Sequence, residues 1–354
     1  MKKRNVINLI RYHQDRNESA FRNEAAEIAR DFMASGDEDL AEYVMALISD
    51  ANAFVPQAMD EGGEFFRKLE PASTSLSLPD VIVADVKGIC NAIAHNVGVN
   101  KFLFQGPPGT GKTETARQIS RITARDLYAV DFNAVIDSKL GQTAKNIDRL
   151  FEQINQMRHP DRVIVFFDEI DALALDRVNQ HDVREMGRAT SAFLKALDSM
   201  TDHAVLIATT NLYQALDKAL ARRFDATIDF GRYEREDLLD IAEVILGGLL
   251  GRFKTAARDM RLFRKVMSLQ ENLPYPGELE NMLRTVLAFS KPGDSYDYLR
   301  RLYTQVRPGA STSDFVSLGS QGFTLREMEA LSGVPKSTIS REMRGATHER
   351  PPAA

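Results

Sequence analysis

The chain has 354 residues, 44% of them hydrophobic and 27% charged, with 21 Gly and 13 Pro, a profile that excludes wholesale disorder and collagen-like repeats. A chain of this length accommodates about two to three domains. Lys plus Arg total 45 against 50 for Asp plus Glu, a net charge of -5, so the whole molecule has no net attraction for nucleic acid or an anionic membrane.

Residues 1–70 are polar with helical spacing. Phe21, Ala25, Ile28, Ala29, Phe32 and Met33 recur every three to four residues, as do Leu40, Tyr43, Val44, Leu47 and Ile48, which predicts two amphipathic helices. Asn17 and Asp37 suit their caps and Gly36 the stop between them. Residues 71–79, small and polar between Pro71 and Pro79, read as a linker. From 80 to 233, helical patterns alternate with apolar runs at Lys101–Gln105, Leu127–Phe132, Val163–Phe167, Ala204–Ala208 and Thr227–Phe230, which predicts an α/β fold, a parallel sheet with helices on both faces. Residues 234–306 carry no strand signal and read as a helical lid, through Leu238, Leu239, Ile241, Ala242, Ile245 and Leu246, then Leu279, Met282, Leu283, Val286 and Leu287. Residues 307–322 are expected to be a second linker, 323–345 a short helical unit, and 346–354 a frayed tail.

The segment Gly106-Pro107-Pro108-Gly109-Thr110-Gly111-Lys112-Thr113 fits G-x-x-x-x-G-K-[ST] (Walker A), directly after the apolar run Phe102–Phe104 and before a helical pattern. Glycines let the backbone curl so that its N–H groups and the next helix N-terminus face phosphates. Lys112 is expected to reach the β and γ phosphates of ATP and Thr113 to hold Mg²⁺, with Glu114 next along the helix in the binding set.

Arg162-Val-Ile-Val-Phe-Phe-Asp168-Glu169 is an apolar run delivering two carboxylates (Walker B), and the carboxyl end of a central strand is where open α/β sheets bind ligands. Asp168 suits the Mg²⁺ shell and Glu169 a general base for the attacking water, a pairing that favours hydrolysis over nucleotide storage. Asp171 reads equally as a helix cap or a functional group.

These motifs resemble the P-loop core of AAA+ ATPases, in the AAA branch of spastin, katanin and the protease-associated unfoldases, over about residues 80–290. Leu206-Ile-Ala-Thr-Thr-Asn211 is similar to the family's sensor-one strand, which implies that Asn211 orients the lytic water. Asp217-Lys-Ala-Leu-Ala-Arg222-Arg223-Phe-Asp225 resembles the arginine-finger segment, implying that Arg222 or Arg223 reaches the γ-phosphate in a neighbouring subunit; Arg223, abutting Phe-Asp, is the preferred one. The resemblance further implies a hexameric ring acting on a protein substrate, with a separate protease as one partner. Two departures stand out. Lys139-Leu140-Gly141 falls where family pore loops carry an aromatic, and Gly277 stands where many AAA+ branches, though not the AAA branch, place an arginine.

Residues 323–345 read as helix, turn at Gly333, helix, and resemble the helix-turn-helix of repressor-type modules. Leu325, Met328, Leu331, Val334 and Ile339 are expected to form a small core, with Lys336, Ser337, Thr338, Ser340, Arg341 and Arg344 offered to DNA. Four basic against three acidic residues between Phe323 and Gly345 leave packing within a ring as the other reading of this unit.

The remaining signals are weak. The longest apolar stretches, such as Val163–Phe167 and Val244–Leu250, are far shorter than the roughly 20 residues that span a bilayer, so no membrane partner is expected. One cysteine, Cys90, excludes an internal disulfide, no secretory leader is recognisable, and a cytoplasmic setting is expected. Cys90 itself reads as a small buried hydrophobe. The six histidines lack ligand spacing. The sequence thus predicts a Mg²⁺-dependent ATPase remodelling a protein, with a DNA-recruited ATPase as the alternative and a nucleotide-gated binding module as a third reading.

Overall fold

The computed structural model describes residues 3–14, 18–35, 41, 44, 65–72, 77–136, 142–157, 159–173 and 180–348. The chain divides into two compact units, Met1–Arg67 and Lys68–Ala354.

In the first unit, α1 (Lys3–Gln14) and α2 (Glu18–Ser35) pack together. Ala25, Ile28 and Ala29 form the buried stripe of α2, as its spacing predicts, and Asn8 Nδ2 donates to Glu24 Oε2 at 3.2 Å across the pair. The helix expected over Leu40–Ile48, apart from Ala41 and Val44, lies outside the described residues, as do Asn17, Gly36 and Asp37.

The second unit is built on a sheet with strand order β1-β3-β4-β5-β2-β6, the division between the units falling within β1. In chain order its elements are β1 (Phe66–Leu69), α3 (Asp80–His95), β2 (Lys101–Gln105), α4 (Lys112–Thr123), β3 (Asp126–Val130), α5 (Phe132–Val135), α6 (Gln142–Asn155), β4 (Val163–Phe167), α7 (Gln180–Asp198), β5 (Val205–Thr210), α8 (Lys218–Ala221) and β6 (Ala226–Asp229). The pairs β2–β5, β2–β6, β3–β4 and β4–β5 are all parallel. The central strands read as continuous apolar runs because helices cover both faces. One face packs Phe102, Phe104, Ile164 and Phe166 with Phe230; on the other, Phe167 meets Phe151 and Phe193 with ring centroids 5.9 and 5.4 Å apart.

Two local expectations are corrected. A strand, β1, ends the segment expected to be wholly helical; its four residues, buried only at Phe66 and Leu69, carry no period-two alternation to announce it. The run expected to be a strand to Phe132 stops at Val130, because the Asp131 carboxylate accepts from Asn133 N–H at 3.0 Å and caps α5. Phe132 then packs on Phe167 from a helix, with centroids 6.0 Å apart.

The helices α9 (Arg235–Leu250), α10 (Met260–Met267), α11 (Pro276–Ala288) and α12 (Asp297–Val306) form the expected lid region. The stretch 307–322, expected as a linker, contains α13 (Phe315–Ser320), whose Phe315 and Leu318 are buried. With α14 (Leu325–Ser332) and α15 (Lys336–His348) it shares one apolar core with the lid, in which Phe315, Leu318, Phe323, Met328, Leu331 and Ile339 join Leu262, Phe263, Leu302 and Tyr303. Lys265 reinforces the junction, donating to the Gly322 carbonyl at 2.6 Å and Glu327 Oε2 at 2.8 Å beneath the Phe323 ring. Gly333 sits at φ 76° in the turn between α14 and α15, where a side chain would be strained. Of the expected small core, Leu325 is the exception: it is 39% exposed.

Candidate nucleotide site

The parallel register sends the C-terminal ends of β2, β4 and β5 to one edge of the sheet, and the chain turns there from β2 into residues 106–111 and then α4. Gly106, Gly109 and Gly111 adopt φ 142°, 76° and 90°, a curl closed to other residues. At Gly106 a Cβ would lie 3.0 Å from the Phe230 carbonyl carbon, so the loop hugs the end of β6. Thr110 is buried, its Oγ1 donating to the Pro107 carbonyl at 2.9 Å and its own carbonyl accepting from Tyr233 Oη at 2.7 Å. Pro108 and Gly109 form the exposed crest, and Glu114 is half-buried at the third position of α4.

Lys112 is 7% exposed, and its ammonium donates to the carbonyls of Gly106 at 2.6 Å and Pro107 at 2.9 Å and to Asn211 Oδ1 at 2.8 Å. Burial lowers its pKa below the ordinary lysine value, while Asp168, Asp171 and Glu169 pull it back up. Asn211 Nδ2 in turn donates to Glu169 Oε1 at 3.1 Å, linking the loop lysine, the end of β5 and the second acid of β4. Thr113 Oγ1 donates to both carboxylate oxygens of Asp168 at 3.2 Å.

Asp171 is resolved as more than a cap. It is buried, and its carboxylate accepts from the Thr210 hydroxyl and from Asn211 N–H, the latter at 2.8 Å, so it fixes the backbone that carries Asn211. Sequence reasoning passed over Thr209 and Thr210; two hydroxyls ending the otherwise apolar strand Val205–Ala208 are the signal that could have found them. It also passed over Tyr233 and the contact at Gly277, whose N–H donates to the Gly109 carbonyl at 2.9 Å. A Cβ on Gly277 would stand 3.0 Å from Gly109 Cα, so the start of α11 meets the loop backbone to backbone.

Arg223 is committed within the chain: Nε and Nη2 donate to the two Asp198 carboxylate oxygens at 3.1 and 3.2 Å, and Nη1 to the Ala219 carbonyl at 3.2 Å. Arg222 is exposed; its backbone N–H donates to the Lys218 carbonyl at 3.2 Å, and its side chain makes no hydrogen bond or ion pair among the described residues. Residues 137–141, with Lys139 and Leu140, lie outside the described residues. Cys90 is half-buried on α3 against the sheet core, and burial pushes its thiol pKa up.

The residues present fit a magnesium nucleotide. The loop glycines turn the backbone into a phosphate cradle, the first turn of α4 has no side-chain cap to occupy its N–H groups, and a hydroxyl–carboxylate pair, Thr113 and Asp168, matches the oxygen ligands Mg²⁺ takes. Fold and site thus define a P-loop nucleotide-binding domain of the α/β class.

The comparisons narrow that class. Residues 102–232 match the model of the ATPase family associated with various cellular activities (AAA), so this segment is an AAA-family ATPase domain. An uncharacterized AAA family ATPase, y4kL, of Sinorhizobium fredii is 39% identical over 135 residues, 38% of this chain and 40% of that one. The ATPase family gene 2 protein of Schizosaccharomyces pombe is 36% identical over 181 residues, 47% of this chain and 22% of that one. The chain therefore spans less than half the length of these curated relatives. Among solved structures, the FIGL-1 AAA domain with ADP aligns with TM-score 0.51 and 17% identity over 77% of this chain and 97% of that one. The E. coli MS115-1 HORMA:CdnC:Trip13 complex contains a chain aligning with TM-score 0.53 and 18% identity over 68% and 95%. These likenesses show the fold. Among the described residues no helix is long and apolar enough to cross a membrane.

Proposed function

We propose that the whole chain is a Mg²⁺-dependent ATPase that works as a homo-oligomeric ring, a hexamer by the family resemblance, and spends hydrolysis on remodelling a protein. The observation that carries this reading is the connected cluster Lys112–Asn211–Glu169 beside Thr113–Asp168, gathered from β4, β5 and the loop at one sheet edge. In it the loop N–H groups and Lys112 hold the phosphates, and Thr113 and Asp168 hold the ion. Mg²⁺, when bound, supplies charge that offsets the β and γ oxygens. Glu169 accepts the proton of the attacking water, and Asn211, bonded to that carboxylate, keeps the water oriented.

An arginine from the neighbouring protomer would complete the stabilisation of charge on the transferred phosphoryl group. Arg222, exposed and with no side-chain partner among the described residues, now suits that role better than Arg223, which Asp198 holds. The Trip13 complex, which contains HORMA and CdnC proteins, supports a protein client; a separate protease partner rests on the family resemblance alone, and a cytoplasmic setting on the cysteine usage of the sequence.

The test is steady-state ATP hydrolysis with and without Mg²⁺ across a range of protein concentrations. Specific activity that climbs with assembly and is lost in Arg222→Ala supports the ring. Activity independent of concentration removes it.

The alternative, recruitment to DNA, draws on one observation: α15 exposes Lys336, Ser337, Arg341 and Arg344 along its length. Retention on duplex DNA with a steep salt slope, lost in a Lys336→Ala, Arg341→Ala double variant, would favour it over a protein client.

A further inference from the structure

We propose that Thr209 is a positioning residue for both acids of the site, and that its hydroxyl sets the Mg²⁺ requirement of the reaction; the inference rests on the ATPase reading above. Thr209 is fully buried at the end of β5, after the apolar residues Val205–Ala208. A buried hydroxyl among apolar neighbours must find partners. This one has two, and both belong to the acidic end of β4: Oγ1 donates to Asp168 Oδ1 at 2.7 Å and accepts from Glu169 N–H at 2.8 Å.

The last backbone pair of the two strands is Phe167 with Ala208, so Thr209 continues the pairing by one residue through its side chain. That residue matters because the backbone beyond it is strained. Glu169 sits at φ 57°, a left-handed conformation unfavourable for a side chain of its size and held only where the surroundings fix it. The bond from Glu169 N–H to Thr209 is such a restraint, and it sets where the general base starts.

The carboxylate of Asp168 is divided between two hydroxyls. Thr209 takes Oδ1 in a short bond, whereas Thr113 makes long bonds to both oxygens. Among the described residues Oδ2 therefore has no partner but Thr113, the hydroxyl expected to share the ion. Thr209 thus anchors one oxygen and reserves the other for the metal shell. Asp171 carries out the analogous task one residue on, binding Thr210 and Asn211, but it touches neither acid's anchoring bond.

The experiment compares Thr209→Val, which keeps shape and loses the hydroxyl, with Thr209→Ser, which keeps the hydroxyl. In Thr209→Val the Mg²⁺ concentration for half-maximal hydrolysis should rise about 10-fold or more, the usual consequence of removing a group that orients a metal ligand. Its kcat should fall with KM for ATP at saturating Mg²⁺ little changed, and Thr209→Ser should restore both. A readout independent of turnover is the binding of a fluorescent ATP analogue: its affinity in EDTA should match the parent, while the Mg²⁺ needed to tighten it should rise in Thr209→Val alone. If Thr209→Val does not fold, Thr209→Ala takes its place in the same comparison. An unchanged Mg²⁺ dependence in the hydroxyl-free variant, or a serine variant as impaired as the valine one, overturns the inference. A parent that binds the analogue with Mg²⁺ but never hydrolyses ATP overturns the ATPase reading instead, and the binding comparison still decides the role of Thr209.

Discussion

The nucleotide edge of the sheet and the lid with its C-terminal helices are held together by opposite means. At the sheet edge, side-chain hydrogen bonds tie Lys112, Thr113, Asp168, Glu169, Asp171, Thr209, Thr210 and Asn211 into one polar network at the strand ends. In the lid, one apolar core runs from Leu238 on α9 to Ile339 on α15, with polar bonds such as those from Tyr298 Oη to the Ala257 carbonyl and from Tyr303 Oη to Gln321 Oε1 set among apolar side chains. A polar network needs each partner at its own distance, and contiguous motifs deliver that. An apolar core needs volume and shape, which scattered positions can supply. The two meet where Gly277 touches Gly109 and Tyr233 Oη bonds the Thr110 carbonyl.

The sharpest way to break this contrast is at the polar end. Glu169→Gln should lower kcat about 100- to 10,000-fold, the range for loss of a general base, with ATP binding and melting temperature near the parent. Single-turnover hydrolysis against equilibrium nucleotide binding checks it; a loss of binding equal to the loss of rate would mean that Glu169 shapes the site rather than acts in it.

Next comes the apolar end. Leu331→Ala, at a fully buried position of the shared core, should destabilise the second unit by about 2–5 kcal/mol. Denaturant unfolding should show the lid and the C-terminal helices lost in a single transition. A separate early transition confined to the C-terminal helices would restore the independent module that the sequence predicts.

The junction gives a smaller effect. Gly277→Ala forces a Cβ to within 3.0 Å of Gly109 Cα, so either the loop or α11 must shift, costing about 1–3 kcal/mol. Because the contact joins loop and lid, the cost should appear in ATP affinity as much as in stability, measured by calorimetric binding beside thermal unfolding.

The smallest effect tests the polar rim of the lid. Burial alone would raise the Glu327 carboxyl pKa, but hydrogen bonds from Lys265 and from Thr324 outweigh it and hold the pKa below the ordinary value. A carboxylate with a lowered folded pKa stabilises fully above its unfolded pKa of 4.5, and that stability is lost as pH falls through the folded value. Glu327→Gln should therefore cost about 1 kcal/mol or less at neutral pH and flatten the acid limb of the stability profile, read by melting temperature from neutral pH into the acid range.

Much of this was legible before any coordinates. The phosphate loop, the acidic end of β4 and the end of β5 are contiguous in sequence, because the chemistry needs residues side by side on one turn or one strand end. The strand Val163–Phe167 followed from its unbroken apolar run, and α9 and α11 from their periodicity, for the same local reason. What escaped was whatever depended on segments distant along the chain. Phe315 and Leu318 look like two apolar residues in a linker until the lid is beside them, and Thr209 looks like a strand residue until β4 delivers Asp168 and Glu169. Arg222 and Arg223 are adjacent and chemically identical in sequence, and only the placement of Asp198 on α7 separates them. The sequence alone determined which groups could do the chemistry, since backbone curl and charge are local properties. Tertiary structure decided which hydroxyl anchors the acids, which arginine is tied to Asp198 and that the C-terminal helices share the core of the lid, because partners far apart in sequence meet only when the sheet and core form.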